Sequence, residues 1–149
     1  MKHRNYILKN YTVQIVDYGV YSVSHKGTEV PDRKTTGGVW FEIQDEKLVN
    51  QSTRILPNDK QLFGIRYIVT GPKKHESIEL VNTVEFPSGM VIGGKAVYES
   101  QFTSHNTTDY RIPSLYSFDD SPITSGPYTF KVSMRGVTLL TKTLKIDFV

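Results

Sequence analysis

Along most of this chain apolar and polar residues take turns with a period of two, the spacing that sends alternate side chains of an extended strand to opposite faces. Tyr11, Val13 and Ile15 alternate with Thr12, Gln14 and Val16, and the run continues through Tyr18, Val20 and Val23. This predicts a long first strand, with a bulge or bend near Gly19. Residues 24–38 are polar and rich in breakers, and predict a loop. Val39, Phe41 and Ile43 then alternate with Trp40, Glu42 and Gln44. Asp45-Glu46-Lys47 suggests a turn, and Leu48 to Leu56 a further strand closed by Pro57-Asn58-Asp59.

The clearest alternation lies in the middle of the chain. Phe63, Ile65, Tyr67 and Val69 share one parity and Gly64, Arg66, Ile68 and Thr70 the other. After Gly71-Pro72-Lys73-Lys74, Ile78, Leu80, Val84 and Phe86 resume it, with polar Asn82 among them, and the pair reads as a hairpin. Residues 90–104 form another strand candidate broken by Gly93-Gly94. Residues 105–126, with Pro113, Pro122 and many Ser, Thr and Asp, predict a long loop or a short irregular crossing. A second hairpin ends the chain: Tyr128, Phe130, Val132 and Met134, a turn at Arg135-Gly136, then Leu140, Leu144, Ile146 and Phe148.

No segment keeps a 3.6-residue apolar period, so little or no helix is expected. About seven to nine short strands with regular turn signals point to an all-β, Ig-like antiparallel β-sandwich. The long loops after residues 23 and 104 suit crossings between its sheets. With 149 residues and no domain linker, residues 1–149 read as a single domain, and residues 1–10 as a flexible N-terminal segment.

Composition narrows the chemistry more than it reveals it. Nine Tyr and seven Phe, with many Val, Ile and Thr, favour pleated sheet. The absence of cysteine removes thiol catalysis, thiolate zinc sites and iron–sulfur clusters. The 18 basic and 15 acidic residues are interspersed for a net charge of +3, which reads as a solvated surface. Lys73-Lys74-His75 and Arg33-Lys34 offer phosphate contacts, yet without concentrated charge or an aromatic–basic signature no nucleic-acid partner is expected. The N-terminus has only a three-residue apolar stretch, far short of a signal peptide or a membrane span. The expectation is a cytoplasmic protein, or an exported one whose leader has been removed.

In order along residues 11–149, several segments resemble a family of small uncharacterised bacterial Ig-like domains. Asp17-Tyr18-Gly19-Val20-Tyr21 looks like its opening strand, and Thr53-Arg54-Ile55-Leu56-Pro57 with Phe63-Gly64-Ile65-Arg66-Tyr67 like its central pattern. Val84-Glu85-Phe86-Pro87, Ser117-Phe118-Asp119 and Gly126-Pro127-Tyr128-Thr129-Phe130 resemble the later elements. The resemblance implies a β-sandwich and a bacterial source. It carries no activity.

No catalytic constellation, metal site or cofactor motif is legible. His3, His25, His75 and His105 lack partners at ligand spacing, and an EF-hand pattern is absent around Asp109, Asp119 and Asp120. Pro87-Ser88-Gly89 lacks the first glycine of a nucleophile elbow, and Gly93-Gly94-Lys95 lacks the P-loop spacing. The favoured reading is a non-enzymatic module that contacts another protein or a second copy of itself through sheet edges or loops. Terminal strands such as residues 140–148 offer an edge for a homodimer. A carbohydrate- or small-ligand-binding module is the alternative, using Tyr98, Phe102, Tyr110, Tyr116 and Phe118, with Trp40 a candidate anchor because its parity opposes Val39, Phe41 and Ile43. A second alternative is a hydrolase in which Asp109, Asp119, Asp120, His75 and His105 converge only in space.

Overall fold

The computed structural model describes residues 11–22, 25–31, 39–44, 46–56, 61–71, 77–88, 94, 97–105, 111–117 and 124–147. Among them are eleven strands and no helix: β1 (Thr12–Ser22), β2 (His25–Pro31), β3 (Val39–Gln44), β4 (Lys47–Asn50), β5 (Arg54–Ile55), β6 (Leu62–Thr70), β7 (Ser77–Glu85), β8 (Val97–His105), β9 (Ile112–Ser117), β10 (Gly126–Met134) and β11 (Val137–Ile146). A four-stranded sheet runs β4-β1-β6-β9 and a five-stranded sheet β5-β11-β10-β7-β8, while β2 and β3 pair as a separate ribbon. All ladders are antiparallel except the short β5–β11 contact. The nine strands of the two sheets make the expected sandwich.

The inner faces meet over Phe63, which packs edge-on against Tyr128, Phe130 and Tyr116 with ring centroids 5.2, 5.8 and 5.9 Å away. Such T-shaped pairs suit the aromatic quadrupole, and the two that reach β10, to Tyr128 and Phe130, hold the sheets together beyond the area they bury. Phe86 completes the cluster against Tyr116 and Tyr128. Two core tyrosines place their hydroxyls without loss. Tyr67 donates to Asn82 Oδ1 at 2.7 Å, which accounts for a polar residue on the inner face of β7. Tyr128 donates to the Thr124 carbonyl at 2.8 Å and accepts from the Thr124 N–H at 3.0 Å, the local tie of a tyrosine corner.

The first strand changes face partway along. Against β6 its register shifts between Ile15 and Asp17, leaving Val16 as the extra residue. Val13 and Ile15 pack on the core before this bulge, Tyr18 and Val20 after it. The bulge thus falls three residues before Gly19, and the glycine has a different task. Gly19 pairs with Gly64, both at positive φ (132° and 152°). A Cβ at Gly19 would lie 2.1 Å from the Asn50 carbonyl oxygen, and one at Gly64 2.1 Å from that of Ser114. The glycine pair therefore lets β1 and β6 press against the outer strands β4 and β9.

Several sequence expectations change. The alternation at 63–70 and 78–86 is not a hairpin: β6 pairs with β1 and β9, while β7 pairs with β10 and β8 in the other sheet. The run at 48–56 is two strands, one in each sheet. Within the predicted loop at 24–38, β2 pairs with β3, its ladder resting on backbone hydrogen bonds that an apolar pattern does not reveal. Within 105–126, β9 forms at the edge of the four-stranded sheet, where Pro113 needs no second neighbour. The terminal hairpin is as expected, with Arg135 (φ 51°) and Gly136 (φ 77°) making the two-residue turn of I′ type. The expected flexible segment at 1–10 lies outside the described residues.

Candidate functional site

Among the described residues a surface cleft lies at the crossover from β4 to β5, where the chain leaves one sheet for the other. Its foundation is a polar cluster on the outer face of the four-stranded sheet. The bulge in β1 turns Asp17 and Tyr21 to that face, and Asp17 lies opposite Arg66 of β6. Arg66 donates Nε to Asp17 Oδ1 at 2.7 Å and Nη2 to Oδ2, and the Tyr21 hydroxyl donates to Oδ1 at 2.7 Å. The guanidinium also lies 5.2 Å from the Tyr21 ring centroid, a cation–π contact. Asp17 and Arg66 are each 8% exposed and Tyr21 is fully buried.

Burial by itself pushes the Asp17 carboxyl up. The hydrogen bonds from Arg66 and Tyr21, with the charges of Arg66 and Arg111, outweigh it and hold the group below the usual carboxylate range. Arg66 is pushed up by its hydrogen bond to Asp17, against the opposing effect of burial. Burial, reinforced by the carboxylate, raises the Tyr21 phenol well above its ordinary value. That phenol stays a donor, out of reach of a substrate, so the cluster acts as a brace.

The brace reaches the crossover through Arg66 Nη1, which donates to the Glu46 carbonyl just before β4 at 3.3 Å. At the other end of β4, Asn50 seats on Gly19. Ser52 then turns the chain, its hydroxyl accepting from the Arg54 N–H at 3.1 Å and donating to the Arg54 carbonyl at 2.8 Å. The arriving segment is tied to β11 by Lys145 N–H to Thr53 O at 2.7 Å and Asp147 N–H to Ile55 O at 2.9 Å. Arg54 pairs with Asp147 at 3.2 Å.

On this fixed crossover Val49 is 53% and Leu56 63% exposed. They line a cleft of about 310 Å³ with Val20, Ile55, Asn50, Arg54 and Gln61. Four aliphatic side chains, two amides and one cation line it, so it offers both apolar contact and hydrogen-bonding groups. A second hollow of about 290 Å³ lies at the hairpin tip between Tyr11, Glu79, Met134 and Arg135. Among the described residues no three His, Asp or Glu side chains gather as a metal would require, and no helix is long and apolar enough to cross a membrane.

The residues singled out from sequence fall elsewhere. Tyr116 is 5% exposed and belongs to the aromatic core, so a groove cannot use its face. Its strand, β9, was not foreseen, and with it the parity that turns Tyr116 inward. Tyr98 and Phe102 lie in β8 at register positions opposite Val84 and Leu80, and Trp40 in β3 opposite Val30; for these three the backbone alone is described. Tyr110 and Phe118 lie outside the described residues, as do His75, Asp109, Asp119 and Asp120. Sequence reading passed over the cluster of Asp17, Tyr21 and Arg66. Its one signal was an acid and an arginine inside otherwise apolar strand runs.

No family model matches the chain, and no curated protein does. Among solved structures, an immunoglobulin-like protein from Pseudomonas aeruginosa superposes with a TM-score of 0.56 at 16% identity, over 91% of this chain and 96% of that one. The likeness establishes an Ig-like fold.

Proposed function

We propose that this chain is a non-enzymatic Ig-like module of bacterial origin that engages another protein through the β4–β5 crossover. The bacterial Ig-like domains that residues 11–149 resemble, and the Pseudomonas structure, support the architectural part of this reading. The observation that carries the rest is the exposure of Val49 and Leu56 beside a cleft whose walls are held from both sheets. Exposed aliphatics on a flexible loop would lose entropy on docking. Here the Arg66, Ser52 and Arg54 contacts have already ordered the backbone, so less of that cost falls on binding.

The test is a comparison of the wild type with the Val49→Asp/Leu56→Asp variant, both immobilised and exposed to native lysate. Both positions face solvent, so the variant should melt within a few degrees of the wild type. Docking would bury the two introduced carboxylates without partners, at a cost of about 1–3 kcal/mol or more each. The double change should therefore weaken a captured partner by roughly tenfold or more. An identical set of retained proteins for the two would refute the crossover as the docking surface. A wild type that is strictly monomeric and retains nothing would refute the module reading as a whole.

A further inference from the structure

Among the described residues the two sheets of the sandwich have four edges, and three are guarded. β4 is four residues long and carries Lys47, β5 is two residues, and β9 holds Pro113. The part of β11 that extends beyond β5 carries a bulge opposite Val132 and Ser133 and the cation of Lys142. Short edge strands, lysines, prolines and bulges are the devices that keep an edge from pairing. β8 has none of them. It is nine residues long, VYESQFTSH, without Pro, Gly, Lys or Arg, and among the described residues it pairs with β7 alone. Every second residue of β8 therefore turns its N–H and C=O away from β7.

We propose that β8 is a self-association edge, pairing antiparallel with β8 of a second copy about a two-fold axis at Gln101. The sequence is self-complementary in that register. Glu99, its one acid, falls opposite Thr103 of the second copy, so no like charges meet. The parity also matches: residues 98, 100, 102 and 104, which share the face of Val84 and Leu80, meet their own kind across the axis. The five-stranded sheet would continue as a ten-stranded one. An isologous contact of this sort closes after two copies. The edge lies at the opposite end of its sheet from β5, so the crossover surface stays free and the two readings stand or fall separately.

Sedimentation equilibrium on the full chain over a range of concentrations tests this, together with Gln101→Lys and Thr103→Lys. The wild type should show a monomer–dimer equilibrium. Gln101→Lys sets two ammonium groups opposite each other on the axis and should weaken the dimer by up to about fivefold. Thr103→Lys sets an ammonium between Glu79 of its own chain and Glu99 of the second copy, twice over; with the charge shared between the two acids, the dimer should tighten by up to about fivefold. A gain cannot come from misfolding, so the opposite signs separate pairing from damage. Amide exchange across residues 97–105 should slow as concentration rises. A monomer at all accessible concentrations would overturn the proposal. So would a dimer that ignores both substitutions, or one disrupted only by Val49→Asp/Leu56→Asp.

Discussion

Replacing Asp17 with alanine should destabilise the fold by about 3–5 kcal/mol, the usual cost of breaking a buried ion pair from one side. Its carboxylate accepts two hydrogen bonds from Arg66 and one from Tyr21, at a site where both charged partners are 8% exposed. Truncation strands a buried guanidinium and a buried phenol. It also releases Arg66 from the orientation that delivers Nη1 to the Glu46 carbonyl, so β4 loosens. Asp17→Asn keeps the shape and an acceptor but loses the charge, and should cost about 1.5–3 kcal/mol. For a chain of this length each kcal/mol moves Tm by about 2–4 °C, so Asp17→Ala should melt roughly 6–20 °C lower.

Urea unfolding with a constant m-value gives the energies directly. The double variant Asp17→Leu/Arg66→Met removes both charges and should cost clearly less than the two single changes added together. The pH dependence has a definite sign. The carboxyl is held below its unfolded value, so its contribution is present above that value, about 4, and is lost as pH falls through the lower folded one. Asp17→Asn should flatten that part of the acid limb, while added salt should change little because the pair is buried. If Asp17→Ala unfolds within about 1 kcal/mol of the wild type, or if the double variant costs the full sum, the cluster is not a brace.

Two further outcomes follow from the same geometry. Gly64→Ala would combine positive φ with a Cβ 2.1 Å from the Ser114 carbonyl and 3.0 Å from the Phe130 ring, and should cost about 3 kcal/mol or more in urea unfolding. Gly94→Ala, at φ 78° with nothing within 4 Å, carries the backbone strain alone and should stay near 1 kcal/mol; equal costs would show that the close approach does not matter. Tyr128→Phe removes both hydrogen bonds to Thr124 from a ring that stays buried, and should cost about 1–2 kcal/mol by the same assay.

What the sequence determined by itself is what short-range physics controls. Period-two alternation assigned faces correctly for Phe63, Ile65, Tyr67 and Val69, and for Tyr128, Phe130 and Val132, because a pleated strand offers its side chains two directions only. Arg135-Gly136 determined the last hairpin, since two residues leave an antiparallel pair as the only closure. Pairing between distant strands was left to the tertiary structure. Parity says which face is apolar but not which neighbour supplies the hydrogen bonds, and so β6 and β7, adjacent in sequence and alike in pattern, went to different sheets. The same holds for the sites. Tyr116 looked available until β9 turned it inward. Asp17 and Arg66, 49 residues apart, became a pair only when the extra residue at Val16 brought the acid to the outer face. The crossover cleft exists because β4 and β5 are claimed by opposite sheets, a contest decided by the backbone partners β1 and β11 and not by the residues from Leu48 to Leu56 themselves.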